Sequence, residues 1–220
     1  MKKIMMIAMV VLVAALLAVP SSFAYPVSAG QYIWVDRIDT VGGGDGGGEF
    51  SIHSASPSSE NKLFETFCLE KNEYITIPGK YYIHTIQDAV VNGGEGGGSP
   101  DFLDSKTKYL FYKFSAGTLS GYGNTNESAN ALQEAIWYIE NEITSLSAGL
   151  ATTFYTDAVN HANKGTWDVK AMNLVTLNAD GSIKEYNQSL LVAQVPEPAT
   201  LLLLGAGLLG TGMMVRRRKR

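Results

Sequence analysis

The chain has 220 residues, 45% of them hydrophobic and 10% aromatic, with a net charge of −4. Between positions 25 and 195 there are ten Lys plus Arg against twenty Asp plus Glu, a net charge of −10. That balance excludes nucleic acid and anionic lipid as partners, because both need clustered cations. The aromatic content excludes a disordered spacer, and the length between those positions suits one domain with its own core.

At the N-terminus, Lys2 and Lys3 precede an apolar run over 4–19, then Pro20 and the small-residue exit ending at Ala24. This order predicts a secretory signal peptide over 1–24, removed by signal peptidase after Ala24. Residues 25–195 then form the exported domain. A single cysteine, Cys68, is unusual in a secreted chain, where cysteines normally come in disulfide pairs. Such a thiol is buried, paired between chains, or committed to other chemistry.

Residues 31–40 (QYIWVDRIDT) alternate partly and predict a strand. Two glycine tracts, 42–48 and 93–98, are expected to be mobile connections. Their acidic residues Asp45, Glu49 and Glu95 match neither an EF-hand loop nor a glycine–aspartate repeat. Residues 63–77 predict one strand near Cys68 and another near Tyr74, and 81–91 is strand-like. Residues 107–114 predict an aromatic helix stopped by Gly117.

The central helix is the clearest element. Asn126 or Ser128 can cap it, and Leu132, Ile136, Ile139 and Ile143 recur at three- and four-residue steps. Gln133 falls at the edge of that stripe with Trp137 one turn above it, so it is expected at the core margin. A truncation there should remove little core volume. A second helix is predicted over 150–163, then two strands over 167–177 and 182–194 around the Asn178-Ala179-Asp180-Gly181 turn. The fold class is α+β: a β-rich, sandwich- or barrel-like body with a helical insert.

His53, His84 and His161 lack metal-ligand spacing, and no phosphate loop or serine nucleophile elbow occurs. Glu140 with Glu142, and Asp101 with Asp104, read as solvated carboxylates. The sequons at Asn126 and Asn187 carry little weight. Neither a metal nor a cofactor is called for, and the chain is not read as an enzyme.

The end of the chain runs Pro196-Glu197-Pro198, then an uncharged stretch over 199–215, then Arg216-Arg217-Arg218-Lys219-Arg220. This three-part order resembles a PEP-CTERM sorting signal over 196–220. The resemblance implies a transient transmembrane helix with its basic end cytoplasmic. It also implies recognition by an exosortase-type membrane enzyme, with cleavage near Pro196–Pro198, and delivery to the surface or extracellular matrix. Phe67-Cys68-Leu69-Glu70 together with Gln133-Glu134-Ala135-Ile136-Trp137 resembles the two motifs of bacterial surface thioester domains. That family commonly has threonine where this chain has Leu132. The resemblance implies a thioester between Cys68 and Gln133, supported by Phe67 and Trp137, that captures an amine or hydroxyl on a surface or matrix target. The alternatives are a passive component of an exopolysaccharide matrix with no thioester formed, and a carbohydrate-binding module using Tyr81, Tyr82 or Trp34.

Overall fold

The computed structural model describes residues 23–42 and 47–196. The expected signal peptide, apart from Phe23 and Ala24, and the expected sorting helix lie outside the described residues. One compact unit spans Tyr25–Gln194. In the other, two short strands, β1 (Phe23–Ala24) and β10 (Val195–Pro196), pair antiparallel.

The larger unit is built on a six-stranded antiparallel sheet. Its strands are β2 (Tyr32–Gly42), β3 (Gly48–His53), β4 (Lys62–Thr66), β5 (Gly79–Gln87), β8 (Val169–Leu177) and β9 (Ile183–Ala193), in the order β4-β3-β2-β5-β8-β9. A small ribbon pairs β6 (Ala89–Val90) with β7 (Asp101–Phe102). Three helices follow: α1 (Ser105–Ser115), α2 (Asn126–Ile139) and α3 (Leu150–His161). The sandwich- or barrel-like body is therefore corrected to one open sheet with helices. The chain just past β4 does reach β9, through Leu69 N–H to Ser189 O at 3.1 Å and Leu191 N–H to Phe67 O at 3.2 Å. The pairing stays a single bridge, Cys68 opposite Leu190, and among the described residues no barrel closes.

Strands β8 and β9 bury both faces. Val169, Ala171 and Leu191 pack with the helices, against Leu110, Leu132, Ile136 and Phe154. Met172, Leu174, Leu190 and Val192 pack on the other side with Ile33, Val35, Phe50 and Ile52. Runs apolar on both sides are what a doubly covered strand requires. The hairpin turn forms as expected, with Gly181 at φ +84°. Helix α1 stops at Gly117, φ +65°, whose N–H reaches Phe114 O while Thr118 N–H reaches Lys113 O.

Helix α2 is capped by neither Asn126 nor Ser128, both of which lie inside it. Thr125 is the cap: its hydroxyl accepts from Ser128 N–H at 3.2 Å and the Ser128 hydroxyl accepts from Thr125 N–H at 3.1 Å. The helix ends at Ile139 because Asn141 adopts φ 64°, a conformation asparagine tolerates at helix ends. Ile143 is thus outside the helix and half-buried. No strand forms at Tyr74, which is exposed; the Tyr81 hydroxyl instead bonds both backbone groups of Thr76.

The carboxylates read as solvated at 140 and 142 are buried. The Glu142 carboxylate accepts from the N–H groups of Lys71 (2.8 Å), Glu95 (3.2 Å) and Gly96 (3.4 Å). A Cβ at Gly94 would lie 2.0 Å from this carboxylate, and one at Gly96 2.2 Å from Asn141 O. The second glycine tract is therefore a tight wrap around a buried carboxyl group, and its lack of side chains serves that approach.

Candidate functional site

The site grows out of the segment just past β4. Because Cys68 stands opposite Leu190 while the bonds to β9 come from its neighbours, its own N–H and C=O point away from the sheet. A buried strand edge needs partners. Gln133, from the middle of α2, supplies them: its Oε1 accepts from Cys68 N–H at 2.9 Å and its Nε2 donates to Cys68 O at 3.0 Å. The side-chain amide thus takes the place of a neighbouring strand's peptide group.

Oε1 accepts a second bond, from Gly48 N–H at 3.2 Å. Gly48 opens β3, and Gly47 before it lies against the α2 side chains. A Cβ at Gly47 would sit 2.5 Å from the Trp137 ring and 2.8 Å from Gln133 Cγ. The end of the first glycine tract is therefore a close-packed cover over the site, and the glycine identity of residue 47 is a packing requirement. Residues 43–46 of that tract lie outside the described residues.

Cys68 is fully buried, and Gln133 is 1% exposed, well inside the core margin expected for it. Burial pushes the Cys68 thiol well above its ordinary range, and the nearby Glu70 carboxyl adds to this. The Gly48 N–H and Arg37 work in the opposite direction. Glu70 is itself buried and raised, chiefly by desolvation. One of its oxygens accepts from Ser189 N–H at 2.9 Å and the other has no partner.

The two expected supporting aromatics separate. Trp137 packs in the same cluster as Cys68. Phe67 points into the helical cluster, where its ring meets Phe114 edge-on at 5.0 Å and Tyr122 at 6.5 Å. Adjacent residues on an extended segment face opposite sides, so Phe67 and Cys68 cannot line one pocket wall. Of the aromatics considered for stacking on sugars, Tyr81 is buried, while Tyr82 and Trp34 are half-buried.

Sequence reasoning missed Gly47, Gly48 and Glu70. A hint was present in the glycines immediately before β3, since a tract that must only be flexible has no need to abut a strand. The histidines are dispersed. His53 bonds Ser51, Ser58 and Asn61, His161 bonds Asp157, and His84 meets the Tyr186 ring. Among the described residues no group of three or more His, Cys, Asp or Glu is placed to hold a metal ion.

Fold and site together define an α+β domain in which a helix-borne glutamine closes a buried strand edge at the only cysteine. At the end of the chain, residues 194–219 match the PEP-CTERM protein-sorting motif. That motif implies export, processing by an exosortase-type membrane enzyme, and sorting to the cell surface. No characterised protein and no solved structure matches the chain. Among the described residues no helix is long and apolar enough to cross a membrane.

Proposed function

We propose that residues 25–195 form an exported attachment domain whose Cys68 and Gln133 join as an internal thioester, and that the domain acts once, by covalent capture, rather than as a turnover enzyme. The observation that carries this reading is the position of the Gln133 carboxamide, bonded at both ends to the Cys68 backbone where both residues are buried. Cys68 sulfur attacks Gln133 Cδ, the Cδ–Nε2 bond breaks, and ammonia departs with the thiol proton. The N–H groups of Cys68 and Gly48 already meet Oε1, where negative charge develops in the tetrahedral intermediate. Two fixed donors of this kind are worth about 3–4 kcal/mol each in acyl transfer. The remainder that an unactivated amide demands would come from holding Cys68 sulfur close to Gln133 Cδ.

Burial of the bond against Trp137 and Gly47 slows hydrolysis until a surface or matrix nucleophile arrives. The test is methylamine. Opening should expose Cys68 to alkylation and place the methylamide on Gln133, read by peptide mapping. A labelable thiol without modification of Gln133 would refute the bond.

A second reading keeps the same geometry without the bond. The three hydrogen bonds to Gln133 are sufficient reason for a glutamine at this position. The domain would then be a passive structural or carbohydrate-binding component of an exopolysaccharide matrix. Methylamine would leave such a protein unchanged.

A further inference from the structure

A cleft of about 620 Å³ reaches Gln133, and the second glycine tract contributes to its wall through Glu95. Glu142, Lys71 and Trp137 line it as well. The tract is a strap closed on itself, with Gly93 N–H donating to Gly98 O at 2.9 Å. Two carboxyl groups lie directly against it. Glu142 accepts from the N–H groups of Glu95 and Gly96, and a Cβ at Gly94 would sit 2.0 Å from it. Toward the other end, a Cβ at Gly97 would sit 2.2 Å from Asp101 Oδ2. Only a strap without side chains at these two positions can rest on both carboxyls.

These groups have like-charged company on every side. Glu73, on the segment that follows Lys71, and Asp101 on β7 both feel Glu142, and Glu70 feels Glu73. Glu140, just past α2, feels Asp104 and Asp101. Glu134 lines the same cleft and is engaged by Ser147 N–H at 2.6 Å. The cation in the lining is Lys71, whose Nζ stands 5.9 Å from the centre of the Trp137 ring. One cation does not balance this set once its carboxyls ionise. Burial, with Glu142 adding to it, pushes Glu73 up to about 7. Asp101 is raised by the same two causes, against the pull of Gly98 N–H. The closed strap therefore holds protons that an open strap, returning these groups to water, would release.

We propose that the 93–98 strap is a pH-sensitive gate: closed on Glu142 and Asp101 in acid, it lifts as its surroundings turn neutral to alkaline and widens the approach to Gln133. The sign follows from linkage. Closure is favoured in full below about pH 4.5, and for each proton released it weakens by up to about tenfold per pH unit until about pH 7. An exported domain meets the pH of its surroundings rather than that of the cytoplasm, so such a gate has a signal to read. The gate needs no covalent bond. Under the thioester reading it sets when a nucleophile reaches Gln133, and only that consequence rests on the bond.

Hydrogen exchange of the full chain in detergent tests the gate, read by mass spectrometry on peptides covering 93–98 between about pH 5.5 and 8, the range in which Glu73 loses its proton. Each rate is divided by that of an unprotected amide at the same pH, and the readout is the same whether or not Cys68 and Gln133 are joined. Protection of the strap should fall by about tenfold across the range, a figure reduced for the partial exposure of Glu73. Amides of β9 over 190–192 should keep theirs. Glu73→Gln keeps the shape of the side chain and removes its ionisation, so it should leave the strap protected at the alkaline end. Gly94→Ala drives the strap off Glu142 and should lower protection already at the acid end. Level protection in the parent chain, or an equal fall in Glu73→Gln, would overturn the gate. A fall shared equally by β9 would mean global unfolding and would overturn it too.

Discussion

Replacing Gln133 with alanine in a chain that already carries Cys68→Ala should destabilise the domain by about 3–6 kcal/mol. The Cys68 substitution removes any covalent link, so only the non-covalent role of the glutamine is measured. Three buried backbone groups lose their partner: the N–H and C=O of residue 68 and the N–H of Gly48. Each unsatisfied group costs about 1–3 kcal/mol, and water entering from the adjacent cleft offsets part of the sum. The change is read as a shift in urea midpoint at constant slope, comparing Cys68→Ala with the double variant. A loss below about 1 kcal/mol would mean that these bonds do not hold the segment to α2, and the account of the site would fail with them.

Ile136 is wholly buried, so Ile136→Asp should unfold the domain, at several kcal/mol. Glu134→Ala removes only a bond to Ser147 N–H at the surface and should cost about 1 kcal/mol or less; equal sensitivity in circular dichroism melts would refute the helix phase. Burial raises the Glu140 carboxyl from 4.5 to about 7 and that of Glu73 likewise to about 7. The native state therefore holds protons that the unfolded chain has released. Their contribution is complete below about pH 4.5 and is lost as pH rises through about 7. Urea midpoints should fall from pH 5 to pH 8, and Glu140→Gln should flatten that slope; an unchanged slope would contradict the assignment. Deleting residues 199–220 should release a folded domain from the cell surface, read by fractionation, and retention to the same extent would exclude the tail as the sorting element.

Local rules carried much of the fold. The hairpin followed from Asn178-Ala179-Asp180-Gly181, α1 from an aromatic stripe and a glycine stop, and α2 from its four-residue recurrence. What failed was long-range. Glu142 reads as a surface carboxylate because nothing near it in sequence neutralises it. Its partners are backbone N–H groups from Lys71, Glu95 and Gly96, brought in by the fold. The glycine tracts read as loose for the same reason: the side chains that need their missing Cβ atoms are Trp137, Gln133 and Glu142, each more than 40 residues away. Periodicity placed Gln133 at the edge of the core, since it cannot register that a strand edge far away in sequence lacks partners. The juxtaposition of Cys68 and Gln133 was suggested by motif resemblance alone. The separation of Phe67 from Cys68 follows from extended-chain alternation, and the strand expected near Cys68 already implied it.

The central claim is most directly tested by the intact mass of the exported, processed chain, purified at neutral pH without amine buffers. The account predicts a mass lower than the sequence by one ammonia, restored to the full value in Cys68→Ser, whose small change in side chain leaves the Gln133 hydrogen bonds in place. Full sequence mass in the undegraded native chain would contradict it.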